Sequence, residues 1–379
     1  MSAILPGSVI GFLGGGQLAR MSALAARSMG YDVHVLDPDP DCPAAAVASH
    51  VVTARYDDVE AATAFAQRCD VITLDIEQVA TDSIAAASLH APVHPGAAPI
   101  HIIQDRGRQK QWLEQHGFPV APFRIAHSPR EVAAAYEALG RSIAKTTSGG
   151  YDGRGQARIR SANDLVAAGA LTEHATVVVE QWIELAGEVS VMVARSSNGE
   201  VRTFPVSYNH HDNGVLTWAM TPAPVSEGTT AAAIDLATRI AGSLDIVGLL
   251  AVEMFVTTDD TLMVNELAPR PHNTFHATER ACLTSQFEQQ VRAVCGLPLG
   301  STALHSAGAI VNLLGDLWRT DGQAPEWERA LEIAGVRLHL YGKKIAKPGR
   351  KMGHLSAIGA TPDAARDTVL DAYSRLLPQ

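Results

Sequence analysis

Two apolar runs, each interrupted by a single glutamate, constrain this chain more than any other feature. The first, Leu249-Leu-Ala-Val-Glu-Met-Phe-Val256, carries Glu253. The second opens Leu262-Met-Val-Asn-Glu-Leu-Ala-Pro-Arg-Pro-His-Asn273 and carries Glu266. Runs of this kind read as strands, and the intervening Thr257-Thr-Asp-Asp-Thr261 suits a tight turn at Asp259-Asp260. A turn centred between the two aspartates sets Glu253 opposite Glu266 on one sheet face. Their Cβ atoms would stand roughly 5 Å apart, where like charges destabilise the pair. A cation between them resolves the conflict, and hard oxygen ligands favour Mg²⁺ shared with nucleotide phosphates. Strand alternation points Asn265 away from Glu266, so Asn265 joins such a site only through a strand end, a bulge or its backbone.

The rest of the composition limits the possibilities. A chain of 379 residues, 46% hydrophobic, predicts two or three domains with substantial cores. The net charge of -10 and the lack of a long basic run argue against nucleic acid as a general partner. Cys42, Cys69, Cys282 and Cys295 lack C-x-x-C spacing, so neither a zinc site nor a disulfide framework is expected. His210 and His211 are adjacent and would point apart on a strand, and neither H-E-x-x-H nor G-x-S-x-G occurs. No apolar stretch reaches membrane-spanning length and no charged leader precedes the first strand-like run. A soluble, reduced, cytoplasmic protein without a membrane partner follows as the expectation.

Strand-like and helix-like segments alternate over the first hundred or so residues, which indicates a parallel α/β sheet. Ser8–Leu13, Val33–Leu36 and Val71–Leu74 are its strands, and a helix runs from Gln17 to about Met29. Prolines at 92, 95 and 99 mark a boundary before a helix around Ile100–His116. Antiparallel strands and a helix over Thr229–Leu244 follow, then the acidic hairpin and a helix near Ser285–Cys295. Gly296-Leu-Pro-Leu-Gly300 marks a second boundary, after which short strands, a basic run and a closing helix from Pro362 are expected. The predicted domains are residues 1–99, 100–298 (with a mobile small subdomain at about 120–185) and 299–379.

Four further segments carry chemistry. Gly14-Gly-Gly16-Gln-Leu-Ala19, with Asp37 ending the next strand, fits the dinucleotide fingerprint, although any phosphate can use a helix N-terminus. Because nothing downstream resembles a dehydrogenase, this loop is read as facing a phosphorylated substrate. Lys145 beside Gly149-Gly-Tyr-Asp-Gly-Arg-Gly155 suits nucleotide phosphates, a point charge next to exposed amides. Val177-Val-Val-Glu-Gln-Trp-Ile183 can offer Glu180 and backbone groups to an adenine edge, with Glu188 near the ribose. Leu340 to His354 concentrates cations around glycines and can capture a phosphomonoester.

In this order the segments resemble the ATP-grasp superfamily, and within it the N5-carboxyaminoimidazole ribonucleotide synthetases. The strings that carry the likeness are Leu13–Met21, Gln104-Asp-Arg106 with Lys110, Lys145 with Gly149–Gln156, and Asn265–Asn273. Thr284–Glu288, Gly296–Gly300 and Arg350–His354 complete them. The resemblance implies an ATP-grasp fold: an N-terminal parallel-sheet α/β domain, a central ATP-grasp domain and a small β-rich C-terminal domain. It implies a homodimeric ATP-dependent carbon–nitrogen ligase, acting on 5-aminoimidazole ribonucleotide and bicarbonate through carboxyphosphate, in purine biosynthesis. Other ATP-grasp ligases of formate-dependent or biotin carboxylase type, and an NAD-binding oxidoreductase, are the alternatives.

Residue by residue, the resemblance implies Mg²⁺ on Glu253 and Glu266. ATP would be held by Arg106, Lys145, Gly150, Tyr151, Asp152, Gly153, Arg154, Gly155 and Gln156. Glu180, Gln181, Trp182, Ile183, Glu188, His211, Asn265 and Glu266 complete that pocket. Arg270, His272 and Asn273 would grip bicarbonate and carboxyphosphate, Tyr151 and Lys351 would cover the intermediate, and Gln17, Glu77, Lys343 and Arg350 would bind the ribonucleotide. The chain departs from the family where Asp75-Ile-Glu77 replaces Glu-x-Glu. It departs again where Thr274-Phe275 replaces Ser-Gly before His276, and where Ala277 replaces Trp.

Overall fold

The computed structural model describes residues 3–149, 155–318 and 322–377. Gly150, Tyr151, Asp152, Gly153 and Arg154, expected in the phosphate loop, lie outside the described residues. Buried apolar runs build a five-stranded sheet from β1 (Val9–Leu13), β2 (Asp32–Asp37), β3 (His50–Thr53), β4 (Val71–Leu74) and β5 (Val93–His94). Its order is β3-β2-β1-β4-β5 and every pairing is parallel, as strands separated by helices require. The helix Gln17–Ser28 follows β1 directly and buries Leu18, Ala19, Met21, Ser22, Ala23 and Ala26.

A second, antiparallel sheet has the order β6-β9-β7-β8, from β6 (Phe123–Ala126), β7 (Ser142–Thr146), β8 (Gln156–Ile159) and β9 (Val177–Gln181). It is built from residues 123–181 alone. The third sheet holds β10 (Leu185–Arg195), β11 (Val201–Thr203), β12 (Ser207–Asp212), β13 (Val215–Thr221), β14 (Gly248–Thr257) and β15 (Leu262–Ala268). It continues through β16 (Ala307–Leu314), β17 (Arg337–Leu340) and β18 (Lys351–Gly359). Its order is β15-β14-β10-β12-β13-β16-β18-β17, with β11 on the side of β10. The strands beyond residue 299 thus extend the central sheet through the β13–β16 pairing. β16 and β18, expected to be short, run 8 and 9 residues because the shared sheet buries nearly all their positions.

Alternation along β10 and β14 divides the core. Val189, Val191, Val193, Leu250, Val252 and Met254 face the helix Glu227–Ser243, whereas Met192, Ala194, Leu249 and Ala251 face Phe204 and Phe275. Phe275, one of the departures from the family pattern, therefore fills the core on that face, and its ring lies 6.3 Å from that of Phe204. No helix among the described residues is long and apolar enough to cross a membrane.

The acidic hairpin forms, and Glu253 lies opposite Glu266, but by a different route. The turn is centred one half-residue earlier than expected, on Asp259. Thr257 Oγ1 bonds the Asp259 carboxylate, Thr261 N donates to Thr257 Oγ1 over 3.0 Å, and Asp260 adopts φ 60°. Left there, the register would set Glu253 against Asn265. A bulge between Glu253 and Met254 absorbs one extra residue, pairing Met254 with Val264 and Glu253 with Glu266. Asn265 is that extra residue.

The expected single helix at Ile100–His116 is two, Ala97–Ile103 and Arg106–Gln115. Asp105 breaks them: it takes an extended conformation, φ -121° and ψ 118°, and its side chain accepts from Arg108 N at 2.8 Å. Arg106 thereby becomes the first residue of the second helix, with its N–H donating to Thr147 O. Asp105→Ala is expected to lower stability by about 1 kcal/mol, with Asp105→Asn retaining most of it. Urea denaturation followed by circular dichroism measures both; equal stability of the alanine variant and wild type would contradict the capping role.

Candidate active site

The three sheets enclose one cleft of about 1630 Å³. Every expected site residue that falls among the described residues lines it, from Gln17 and Glu77 through Arg106, Lys145 and Glu180 to Lys351. Its floor is the bulged hairpin. Burial and the facing Glu266 carboxylate push the Glu253 carboxyl up to about 7. Arg106 reaches Glu266 Oε2 at 3.4 Å, and His272 Nε2 lies 3.3 Å from Glu253 Oε1. Asn265 also lines the cleft, its Oδ1 buried with no hydrogen-bond partner among the described residues. The facing carboxylates of Glu253 and Glu266 offer oxygen donors of the kind that fits a hard divalent cation.

One wall is made by a buried charge cluster. Glu180 Oε2 lies 3.3 Å from Lys110 Nζ and 3.2 Å from Lys145 Nζ, while Lys110 also donates to Val264 O at 3.3 Å. Burial alone would raise the Glu180 carboxyl, but Lys110 and Lys145 outweigh it and hold it down at about 2. Glu180 Oε1 is buried without a hydrogen-bond partner among the described residues. Lys110 belonged to the family strings but not to the expected site. In Arg106–Gln115 it is one polar residue among many, and only the fold shows it to be fully buried. Beyond Glu180 the chain turns through Gln181, Trp182 and Ile183 along the cleft rim. There Arg141 and Arg158 pack against the Trp182 ring at 5.6 and 5.7 Å. His211 Nδ1 stands 3.0 Å from Glu188 Oε2, a partner that outweighs burial and raises the imidazole.

The far end joins the hairpin to the N-terminal sheet. Arg270 Nε lies 2.8 Å from Glu77 Oε1, and Gln17 Nε2 donates to Asn273 Oδ1 at 3.2 Å. Lys343 Nζ donates to Gln17 Oε1 at 2.6 Å and to Lys351 O at 2.7 Å. Arg350 Nη1 donates to Ile345 O at 2.9 Å within the basic run. Burial, Arg270 and Lys351 hold His272 well below the usual imidazole value, so the ring is neutral and the positive charge at this end belongs to arginine and lysine.

The glycine loop differs from the expectation of a phosphate cradle. Asp37 Oδ2 accepts from Gly15 N at 2.7 Å and from the Tyr56 hydroxyl at 2.7 Å. Asp75 accepts from Gly16 N at 2.8 Å and Ala19 N at 2.5 Å. The amides of Gly15, Gly16 and Ala19 are thus taken by the chain's own carboxylates, and Asp37 is turned away from a ribose role. The glycines are there for close approach: a Cβ at Gly16 would collide with the Asp75 carboxylate, and one at Gly15 with Cys42 Sγ. Asp75, whose replacement of glutamate stood out in the sequence, serves as the anion of this helix N-terminus.

Glu180→Gln is expected to destabilise the fold by about 3–5 kcal/mol, because Lys110 stays buried without its counter-charge. Adding Lys110→Met should recover most of that loss. The folded Glu180 value, about 2, lies below the ordinary glutamate value of roughly 4.3, so its contribution is complete above the latter. That contribution disappears as pH falls through the former. Chemical denaturation of the three proteins across that range checks both statements; a single variant as stable as wild type would refute the pairing argument.

Comparison with known proteins agrees with this geometry. Residues 8–104 match the ribonucleotide synthetase preATP-grasp domain, residues 111–287 the ATP-grasp domain, and residues 308–368 the phosphoribosylaminoimidazole carboxylase C-terminal domain. The chain is 44% identical over 354 residues to the N5-carboxyaminoimidazole ribonucleotide synthase of Bacillus subtilis, covering 93% of this chain and 92% of that one. Its fold superposes on the ADP complex of a PurK N5-carboxyaminoimidazole ribonucleotide synthetase with a TM-score of 0.92. The identity there is 41%, with 98% and 97% of the two chains covered. An Aspergillus clavatus synthase in complex with ADP and 5-aminoimidazole ribonucleotide superposes with a TM-score of 0.89 at 31% identity, covering 97% and 98%. With an NAD-type loop closed on itself and relatives of this kind across nearly its whole length, the chain belongs to the N5-carboxyaminoimidazole ribonucleotide synthase family of ATP-grasp proteins.

Proposed function

We propose that this protein is an ATP-dependent carbon–nitrogen ligase. It carboxylates 5-aminoimidazole ribonucleotide with bicarbonate, giving the N5-carboxy product, ADP and phosphate, in purine biosynthesis. The observation that carries the reading is the continuity of the cleft from Glu253 and Glu266 through Arg270–Glu77 to Gln17–Lys343. That path sets a nucleotide floor, an anion site and a basic substrate pocket end to end.

ATP lies along the Glu180 wall. Glu180 Oε1 and the backbone at Gln181–Ile183 meet the adenine edge, Glu188 and His211 the ribose side, and Arg106 and Lys145 the phosphates, with Gly155 and Gln156 at the loop end. Glu253 and Glu266, with Asn265 in the same cleft, would hold Mg²⁺, which when bound offsets charge between the β- and γ-phosphates. Bicarbonate sits at Arg270, His272 and Asn273, where a planar guanidinium suits a carboxylate. One bicarbonate oxygen attacks the γ-phosphorus, the bond to the β-phosphate oxygen breaks, and ADP departs, leaving carboxyphosphate. The exocyclic amine of the ribonucleotide then forms a bond to the carboxyl carbon, the bond from that carbon to the phosphate oxygen breaks, and the amine loses a proton. Gln17, Glu77, Lys343 and Arg350 hold the ribonucleotide, and Tyr151 and Lys351 exclude water from the intermediate. The domain division at residues 99 and 298, a mobile small subdomain, a homodimer and a cytoplasmic location complete the reading, on the strength of the family resemblance.

Phosphate release from ATP and bicarbonate is expected to rise on adding 5-aminoimidazole ribonucleotide; absence of that stimulation would sink the proposal. Glu266→Gln should lower turnover about 100-fold while ribonucleotide binding, followed by calorimetry, holds near wild type. Equal loss of both would count against the metal assignment. Lys343→Ala should raise the ribonucleotide KM about tenfold or more and leave the ATP KM near normal, since a lost charged hydrogen bond is worth about 1.5–3 kcal/mol. An ATP-binding defect would contradict that role.

A further inference from the structure

Behind the anion site lies a buried group that the reaction as described does not use. His276 and His354 are both fully buried, and their rings stack at 4.4 Å and 4°. His339 stacks on His354 at 4.6 Å and 8°. The Tyr341 hydroxyl sits between His354 Nδ1, at 2.8 Å, and His276 Nε2, at 3.2 Å. His276 Nε2 is also 3.1 Å from Asn273 Oδ1, and Gln286, itself fully buried, reaches His276 Nδ1 at 3.5 Å.

Two separate chains of donors fix the direction of every bond here. The Lys343 ammonium has no acceptor, so Gln17 must present Oε1 to it and Nε2 to Asn273, which therefore presents Oδ1. From the other side, His272 N–H donates to Gln286 Oε1 at 2.8 Å, leaving Gln286 Nε2 to donate to His272 O at 3.0 Å and to His276 Nδ1. His276 Nδ1 is then the acceptor and its Nε2–H the donor, again to Asn273 Oδ1. Both chains give the same amide orientation. Tyr341 accepts from the same Nε2–H and donates to His354 Nδ1. Burial, with His339 and Lys351 nearby, holds His276 down at about 3, so the ring is neutral and keeps a single proton.

We infer that His276 and Gln286 are positioning residues: they lock the Asn273 carboxamide with its oxygen turned inward, so that its NH₂ group is the face offered to the bicarbonate-derived carboxylate. The inference rests on the proposed reaction for the ligand at Asn273, but the bond directions stand without it. A hydrogen-bond donor set in advance toward developing negative charge needs no reorientation during the reaction, which is where much of its value lies.

His276→Leu is expected to lower kcat/KM for bicarbonate about 100-fold while the ATP KM stays within about threefold, and His276→Gln, whose amide reaches the Nε2 position, to recover about tenfold. Equal losses in the two variants, or a loss falling on ATP, would overturn the inference. Independently of turnover, the His276 resonances of [¹⁵N]histidine-labelled wild-type protein should report a neutral Nε2–H tautomer. An Nδ1–H tautomer or a charged ring would overturn it even if the leucine variant does not fold. Should wild type show no ribonucleotide-dependent turnover, the proposed reaction fails, and the tautomer alone decides this point.

Discussion

The site depends on one inserted residue. Asn265 bulges out of β15, and that single irregularity turns a register that would face Glu253 with an amide into one that faces it with a carboxylate. A bulge costs a ladder hydrogen bond and increases local twist, so it persists only in a well-supported strand pair. Support is ample: Val252, Met254, Val264 and Leu267 are buried around it, and helix Arg106–Gln115 contributes Gln109 Oε1 to Leu267 N at 3.1 Å. The apolar core thus holds two glutamates in an arrangement that charge alone would disfavour.

Around that floor, acids are neutralised in different ways. Glu180 is satisfied by lysines, Glu77 by Arg270, and Asp37 and Asp75 by backbone amides of the glycine loop. Only the first two pairings leave cations in the cleft. The amides of Gly15 and Gly16 are consumed by Asp37 and Asp75, and the side chains that reach the cleft beside them are Gln17 and its partner Lys343.

Much of the architecture was legible because it follows from local pattern. The buried runs at β1, β2 and β4 and the amphipathic helices sit within a residue or two of where their apolar spacing placed them, and all described site residues meet in one cleft. What stayed hidden depends on distant parts of the chain. The hairpin turn is centred on Asp259 and the Asn265 bulge restores the expected pairing, so a correct contact came from two compensating shifts. Arg106 as the anchored first residue of a second helix, Lys110 as a buried cation and Asp75 as a cap each acquire meaning only from a partner far away in sequence: Thr147, Glu180 and Gly16 respectively. Phe275 stood out only as a departure from the family pattern, and its place in the core beside Phe204 depends on the strand alternation of β10 and β14.

The C-terminal strands share hydrogen bonds with the central sheet along Trp218–Thr221. The basic run therefore joins β17 to β18, two strands of the same sheet that bears Glu253. An open sheet edge is a template for pairing with other chains. Cutting the chain before β16 would bare β13 along Trp218–Thr221, together with the apolar face now covered by helix Pro362–Ser374. The last segment thus also serves as the central sheet's guard against self-association, and separating the two would yield a sticky fragment in place of two independent modules.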